Sequence, residues 1–241
     1  NALLKSERIQ KQKDFWLSRL TGEIPVLDMP LDFARPSQKS MEGGTLFSAI
    51  DKELLDELKK LAVLTESTLF MVLISAYSVL LFKYTGQEDI LIGIPVEGRN
   101  HPDLKDIIGS FVNNAVLRSY PTGDKTFRSY LNEVKEELIK VFDYQDYPVD
   151  VLVAEYGIKR SSGIGPIFDT LFMMQKLNTT EWVTGAFKFE NYNYNSRRSI
   201  VDLGIGAYYC DDAITFRLEY CVKLFKADTM ERFLKQYEVI L

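Results

Sequence analysis

Histidine is almost absent from this sequence: its 241 residues include one, His101. Any mechanism that needs two histidines, or a His-rich zinc site, is excluded within the chain itself. Cysteine is nearly as scarce. Cys210 and Cys221, with no apolar signal core in the opening Asn1-Ala2-Leu3-Leu4-Lys5, imply a reducing, cytoplasmic setting. An initiator Met is also lacking, so the sequence reads as a piece cut from a longer polypeptide. No Lys/Arg-rich run occurs and the net charge is -5, which argues against nucleic acid and against an anionic membrane as partners. The longest apolar run, Leu69 to Phe82, is interrupted by Ser75 and Ser78 and is too short to span a bilayer. A P-loop, a metal-ligand spacing, an internal repeat and a low-complexity block are all missing. Gly204-Ile205-Gly206 fails as a dinucleotide fingerprint, because Tyr209 stands where the third glycine belongs. These two glycines are expected on the less buried face of a strand.

What is present is an ordinary globular composition, 46% hydrophobic and 26% charged, long enough to bury a sizeable core. Lys11 to Leu20 carries Phe15, Trp16 and Leu20 at helical spacing. Pro25, Pro30 and Pro36 then mark an extended crossing segment. Thr45 to Ile50 is a strand candidate, and Asp51 is placed to cap a helix with Leu54, Leu55, Leu58, Leu61 and Ala62 on one stripe. Thr68 to Tyr84 is apolar on every side, the mark of a central helix, and Thr85-Gly86 ends it.

Ile90 to Val96 reads as a buried strand, Glu97 to Asp106 as a polar loop and Phe111 to Leu117 as a second strand. Thr126 opens a helix with Phe127, Leu131, Val134, Leu138, Val141 and Phe142 inward, and Asp146-Tyr147-Pro148 stops it. Phe168 to Gln175 is a strand candidate, and Leu177 to Arg198 has no clear pattern. Near the end, Asp211-Asp212 forms a two-residue turn between Ser199–Cys210 and Ala213–Val222. That turn pairs Val201 with Val222, Leu203 with Tyr220, Ile205 with Leu218, Ala207 with Phe216 and Tyr209 with Ile214, apolar on apolar throughout. It separates Cys210 from Cys221 along the strands, so no disulfide is expected. A final helix covers Asp228 to Leu241. The predicted class is α/β (α+β), a mixed β-sheet with flanking helices.

Chemical candidates are few. His101 lies in a polar loop with Asp103 and Asp106 near in sequence; it reads as a solvated loop residue or as an acid/base group. Asn113 stands at a strand edge, where its amide can hold a substrate amide or cap the strand end. The aromatic stretch Trp182 to Tyr194 reads as packing in preference to a channel lining.

Several segments, in order, resemble the condensation domains of non-ribosomal peptide synthetases. Phe15 to Gly22, then Pro25, Leu27, Pro30, Asp32 and Arg35-Pro36, is similar to the segment after that family's inter-lobe linker. Ile108 to Asn114 resembles IGxFVNT, with Asn114 replacing Thr. Tyr144 to Asp150 resembles HQDYPFE, with Tyr144 replacing His and Val149-Asp150 replacing Phe-Glu. Arg160 through Phe168 is similar to RDxSRNPLF with an altered centre, and Leu218-Glu219-Tyr220 with Leu224-Phe225 to LEYxxxLF.

The resemblance implies a chloramphenicol-acetyltransferase-like lobe, the C-terminal one of two, with residues 1–40 a lead-in and 41–241 the main lobe. It implies no catalytic residue in this chain: the HHxxxDG motif belongs to the N-terminal lobe, and Lys105 stands where an Asp would follow His101. Arg99, Gly109, Phe111, Asn113 and Gln175 become candidates to line the substrate tunnel, and Asp146, Tyr147 and Pro148 a structural motif. No metal or bound cofactor is implied. Phosphopantetheine arrives on donor and acceptor peptidyl carrier proteins, and the N-terminal lobe and an adenylation domain are the neighbouring partners. Three alternatives stay open at this point: a stand-alone acyltransferase using His101, an epimerisation or cyclisation relative, and a carrier-docking module.

Overall fold

The computed structural model describes residues 6–20, 22–99, 102–104, 106–156, 165, 167–177, 182–184, 187–189, 197–210 and 213–241. Its centre is a six-stranded mixed sheet, matching the expected class. In chain order the elements are α1 (Glu7–Arg19), β1 (Gly43–Ile50), α2 (Lys52–Leu64), α3 (Leu69–Thr85), β2 (Ile90–Val96) and β3 (Asn113–Ser119). There follow α4 (Phe127–Asp143), α5 (Val149–Tyr156), β4 (Thr170–Lys176), β5 (Trp182–Thr184), β6 (Phe187–Phe189), β7 (Leu203–Cys210), β8 (Ala213–Cys221) and α6 (Ala227–Ile240). The sheet order is β1-β8-β7-β4-β2-β3, and β5 with β6 forms a separate pair. β4 runs parallel to both β2 and β7; the other pairings of the large sheet are antiparallel.

The hairpin register agrees with the apolar pattern. Leu203 faces Tyr220, Ile205 faces Leu218, Ala207 faces Phe216, Tyr209 faces Ile214 and Cys210 faces Ala213. A slip of one residue would turn this whole set away from the core. The helices cover the face that these residues share. Phe216 meets the α6 ring of Tyr237 at 5.1 Å, and Phe172 of β4 meets Phe70 and Tyr77 of α3 at 5.8 and 5.5 Å. α3 is buried nearly all round, as its composition requires, and its polar groups are satisfied inside. The Tyr77 hydroxyl bonds to Thr170 Oγ1 at 2.5 Å, and burial pushes that phenol far above its ordinary pKa. Caps stand where the sequence placed them: Asp51 accepts from Leu54 N, Thr68 from Met71 N and Thr126 from Ser129 N, while Gly86 ends α3 in the left-handed region. Among the described residues no single helix is long and apolar enough to cross a membrane.

Five expectations need correction. The hairpin ladder starts at Leu203, so the expected pair of Val201 with Val222 is not part of it. β3 begins at Asn113 and not at Phe111, because Phe111 and Val112 belong to a loop held against the end of β2. Gly204 and Gly206 are buried, not on a more open face; a Cβ at Gly204 would stand 3.1 Å from the Leu171 carbonyl oxygen. α1 begins at Glu7, capped by Ser6, four residues before the apolar stripe suggests. A helix the periodicity did not show, α5, follows Pro148, whose carbonyl accepts from Val151 N and Leu152 N. Pro148 thus stands at the start of α5, where its missing N–H is no loss, while α4 has already ended at Asp143. The turn Asp211-Asp212, His101, Lys105 and the altered centre of the Arg160 to Phe168 motif lie outside the described residues, as do the side chains of 182–184 and 187–189.

The lead-in is sewn into the lobe. Asp32 accepts from Lys226 N at 2.8 Å and from Thr229 Oγ1 at 3.0 Å. Lys226 is the N-cap of α6 and makes no side-chain cap bond of its own, so a carboxylate distant in sequence caps this helix. The backbone bond from Lys226 is the main reason that the Asp32 carboxyl lies below its ordinary pKa. A depressed carboxyl stabilises the fold above its unfolded pKa near 3.8, and that stability is lost as pH falls through the lower folded value. Asp32→Ala is therefore expected to cost ~1 kcal/mol at pH 7, a typical cap, and progressively less below pH ~4. Urea unfolding of parent and variant at pH 7 and pH 3 checks this; an equal difference at both would contradict it.

Candidate functional site

One end of the sheet gathers the segments singled out by sequence. It is the end where the parallel strands β2 and β4 finish and β3 begins, the place at which α/β sheets ordinarily open a crevice. A groove of about 490 Å³ lies there. Phe70 of α3, Phe142 of α4 and Met174 of β4 supply apolar walls. Glu97, Gln145 and Lys176 add polar groups of both signs. Two of the expected segments, the loop after β2 and the Tyr144 to Pro148 turn, thus meet the end of β4.

The turn is pinned from two sides. From β3, the Asn113 side-chain amide donates to the carbonyls of Gln145 and Tyr147, both at 2.9 Å. From α1, Gln12 Oε1 accepts from Tyr147 N at 2.9 Å, Trp16 Nε1 donates to the Tyr144 carbonyl at 2.8 Å, and Arg8 pairs with Asp146. The ring of Tyr144 stacks on Phe15 at 4.3 Å. Asp146 and Tyr147 are thus held through both backbone and side-chain bonds, and Pro148 starts α5. Both amide hydrogens of Asn113 are committed to this turn.

The loop after β2 is organised around Arg99. Its guanidinium donates to the carbonyls of Leu104, Ile107 (2.9 Å) and Gly109 (3.2 Å), and lies 4.2 Å from the centre of the Phe111 ring. Arg99, Gly109 and Phe111 are thus brought together, while Asn113 works two residues further on. Gln175 is exposed on β4 and is not among the residues that line the groove. His101 lies outside the described residues.

Periodicity pointed to Trp16 but gave no role to Gln12, although a Gln on the stripe Ile9, Gln12, Trp16 is a usable signal of a buried polar partner. The contribution of Lys176 to a groove has no sequence signal, since lysine is a common exposed residue. Among the described residues no group of three His, Cys, Asp or Glu side chains could hold a metal ion.

The family model described as "Condensation domain" matches residues 1–241. Bacitracin synthase 3 of Bacillus licheniformis is 42% identical over 98% of the chain, and surfactin synthase subunit 1 of Bacillus subtilis (strain 168) is 42% identical over 97%. The chain spans only 4% and 6% of those two proteins. Among solved structures, holo-AB3403, a four-domain nonribosomal peptide synthetase, aligns over 97% of this chain and 19% of its own, with a TM-score of 0.88 and 22% identity. The condensation domain of the monacolin K polyketide synthase MokA aligns over 98% of this chain and 57% of its own, with a TM-score of 0.83 and 19% identity. These two likenesses carry the fold.

Proposed function

The chain belongs to the condensation-domain family, and from that premise we propose that it is the C-terminal lobe of such a domain. In this reading it forms one wall of the cleft in which a non-ribosomal peptide synthetase makes an amide bond. The acceptor amine attacks the carbonyl carbon of the donor thioester, the C–S bond breaks, and the thiolate leaves on its phosphopantetheine arm. The arms come in on donor and acceptor carrier proteins. The proton lost by the amine is handled by a histidine of the N-terminal lobe, whose HHxxxDG motif this sequence does not contain. A neighbouring adenylation domain and a cytoplasmic setting belong to the same reading.

The observation that carries the proposal is the combination of a full-length family match with a single histidine that lacks the motif around it. The geometry supports it. Among the described residues, the groove and the loop after β2 offer shape and hydrogen-bonding groups but no pair of groups arranged for nucleophilic catalysis. Ile107, Ile108 and Val112 are exposed on that loop, an apolar surface suited to lining a cleft. Holding two reactants in place can supply a large part of the rate of acyl transfer, and that is the work assigned to this lobe.

The test compares the chain alone with the chain joined to the segment that precedes it in its polypeptide. Two loaded carrier proteins are supplied and the dipeptidyl product is measured. The chain alone should give no product above background, and the joined form should turn over. In the joined form, His101→Ala should leave the rate within about twofold, as expected for a residue that makes no transition-state contact. Turnover by the chain alone at the joined rate, abolished by His101→Ala, would establish the stand-alone acyltransferase in its place.

A further inference from the structure

We propose that Arg99 is a positioning residue: an internal strut that ties Leu104, Ile107, Gly109 and Phe111 together and so holds Ile107, Ile108 and Val112 toward the lobe across the cleft. The proposal rests on the cleft reading above and changes the role of Arg99 from lining the tunnel to building the loop that does.

Fixing a residue's backbone costs conformational entropy, and loops usually recover part of that by turning apolar side chains inward. Here Ile107, Ile108 and Val112 point outward. Order must come from elsewhere, and the described contacts show where. Arg99 bridges the carbonyls of Leu104, Ile107 and Gly109, three points along the loop, from a single planar group. Its face covers the Phe111 ring at 4.2 Å.

The neck of the loop is closed beside it. Gly98 has φ +65°, and a Cβ there would come within 1.9 Å of the Phe111 carbonyl oxygen, so only glycine lets the two ends meet. With the neck shut, a side chain starting at residue 99 can reach the interior of the loop and several of its carbonyls at once. Arginine fits this task and lysine does not. The guanidinium carries five donors in a fixed plane and stacks on a ring, whereas an ammonium is a compact point charge on a flexible stem. The Ile107 carbonyl turns in toward Arg99 while its side chain faces out, beside the exposed Ile108.

Arg99→Lys and Arg99→Ala in the complete domain test this, with three readouts. Backbone amides of 106–112 should exchange with deuterium at least about tenfold faster in both variants, as local opening replaces a held loop. Amide-bond formation should lose about tenfold in kcat, with KM for each loaded carrier within about twofold, because a loosened wall misplaces reactants without touching the carriers. The melting temperature should fall by only a few degrees.

Unchanged exchange in Arg99→Ala would overturn the strut. So would full rescue by lysine, since charge alone would then suffice. A loss confined to KM with a protected loop would mean that Arg99 meets a carrier or substrate directly, and would also overturn it. If the parent domain formed no amide bond at all, the cleft reading would fail, and the exchange arm would still decide the strut.

Discussion

Replacing Arg35 by alanine is expected to lower the unfolding free energy by about 3 kcal/mol, a large share of what a single domain possesses. Arg35 lies on the lead-in and donates to Asp202 Oδ2 at 2.6 Å, just before β7. The Asp202 side chain is 6% exposed and that of Arg35 21%. Removing the cation leaves a carboxylate in a site too dry to solvate it. That penalty, more than the strength of the pair, sets the size of the effect, and the partial exposure of Arg35 holds it at the lower end of the range for buried pairs.

The pair also anchors a crossing. Asp202 N donates to the Asp169 carbonyl, and Asp169 in turn accepts from Leu27 N at 3.1 Å, so the starts of β4 and β7 and the lead-in share one knot. Burial acts to lower the Arg35 pKa, but the bond to Asp202 and the charges of Asp202 and Asp169 outweigh it and leave the guanidinium held above its ordinary value. Asp202→Asn should rescue part of the loss in the double variant, since it removes the stranded charge. Urea unfolding with linear extrapolation measures all three variants. A loss below 1 kcal/mol in Arg35→Ala would show that water reaches Asp202 freely. The knot sits at the end of the sheet opposite the groove, so the folded fraction of the variant should keep its full activity in the complete domain.

Asn113→Asp attacks the other end. The substitution is nearly isosteric, yet it turns two donors into acceptors. A carboxylate would then face the carbonyl oxygens of Gln145 and Tyr147, each 2.9 Å from the present amide nitrogen. Two carbonyls lose their partner and meet a negative charge instead. Each orphaned group costs ~1–3 kcal/mol, and because the site is only partly buried a total of about 3 kcal/mol is expected.

The same change should release the Tyr144 to Pro148 turn, and Gln145 with it, from the wall of the groove. On the proposed function, condensation in the complete domain is then expected to fall by ~10–100-fold, the scale of a misplacement of about 1 Å. Trp16 offers a local reporter, because its indole donates to the Tyr144 carbonyl. With Trp182 replaced by phenylalanine, the chain's other tryptophan is gone and the Trp16 emission should shift in Asn113→Asp under native conditions. Emission and activity both unchanged would mean that the turn is held by α1 alone.

The two experiments separate groups of residues that differed in how far sequence reveals them. The helices α2, α3 and α4 were legible because each is a stripe or a block of apolar residues behind a capping side chain, and both signals are local. The β7–β8 register was legible for the same reason: apolar residues recur at a period of two on each side of a short turn. α5 was not. Its eight residues follow Pro148, and local rules read a proline as a stop and not as a start. β3 was placed two residues early because Phe111 and Val112 look like strand. Their conformation is decided by Gly98 and Arg99, more than ten residues back.

By itself, then, the sequence determined a mixed α/β lobe, its family likeness through ordered motifs, and the lack of a histidine motif. Those properties depend on residue type and short-range period, which chain order preserves. Packing of distant segments is what makes Asn113 clamp a turn, Asp32 cap α6, Arg35 meet Asp202 and Arg99 brace its own loop. Each is a directional bond to a backbone atom or a single carboxylate. Such bonds leave no periodic trace in the chain, because their partners are chosen by where the packed core brings distant segments together.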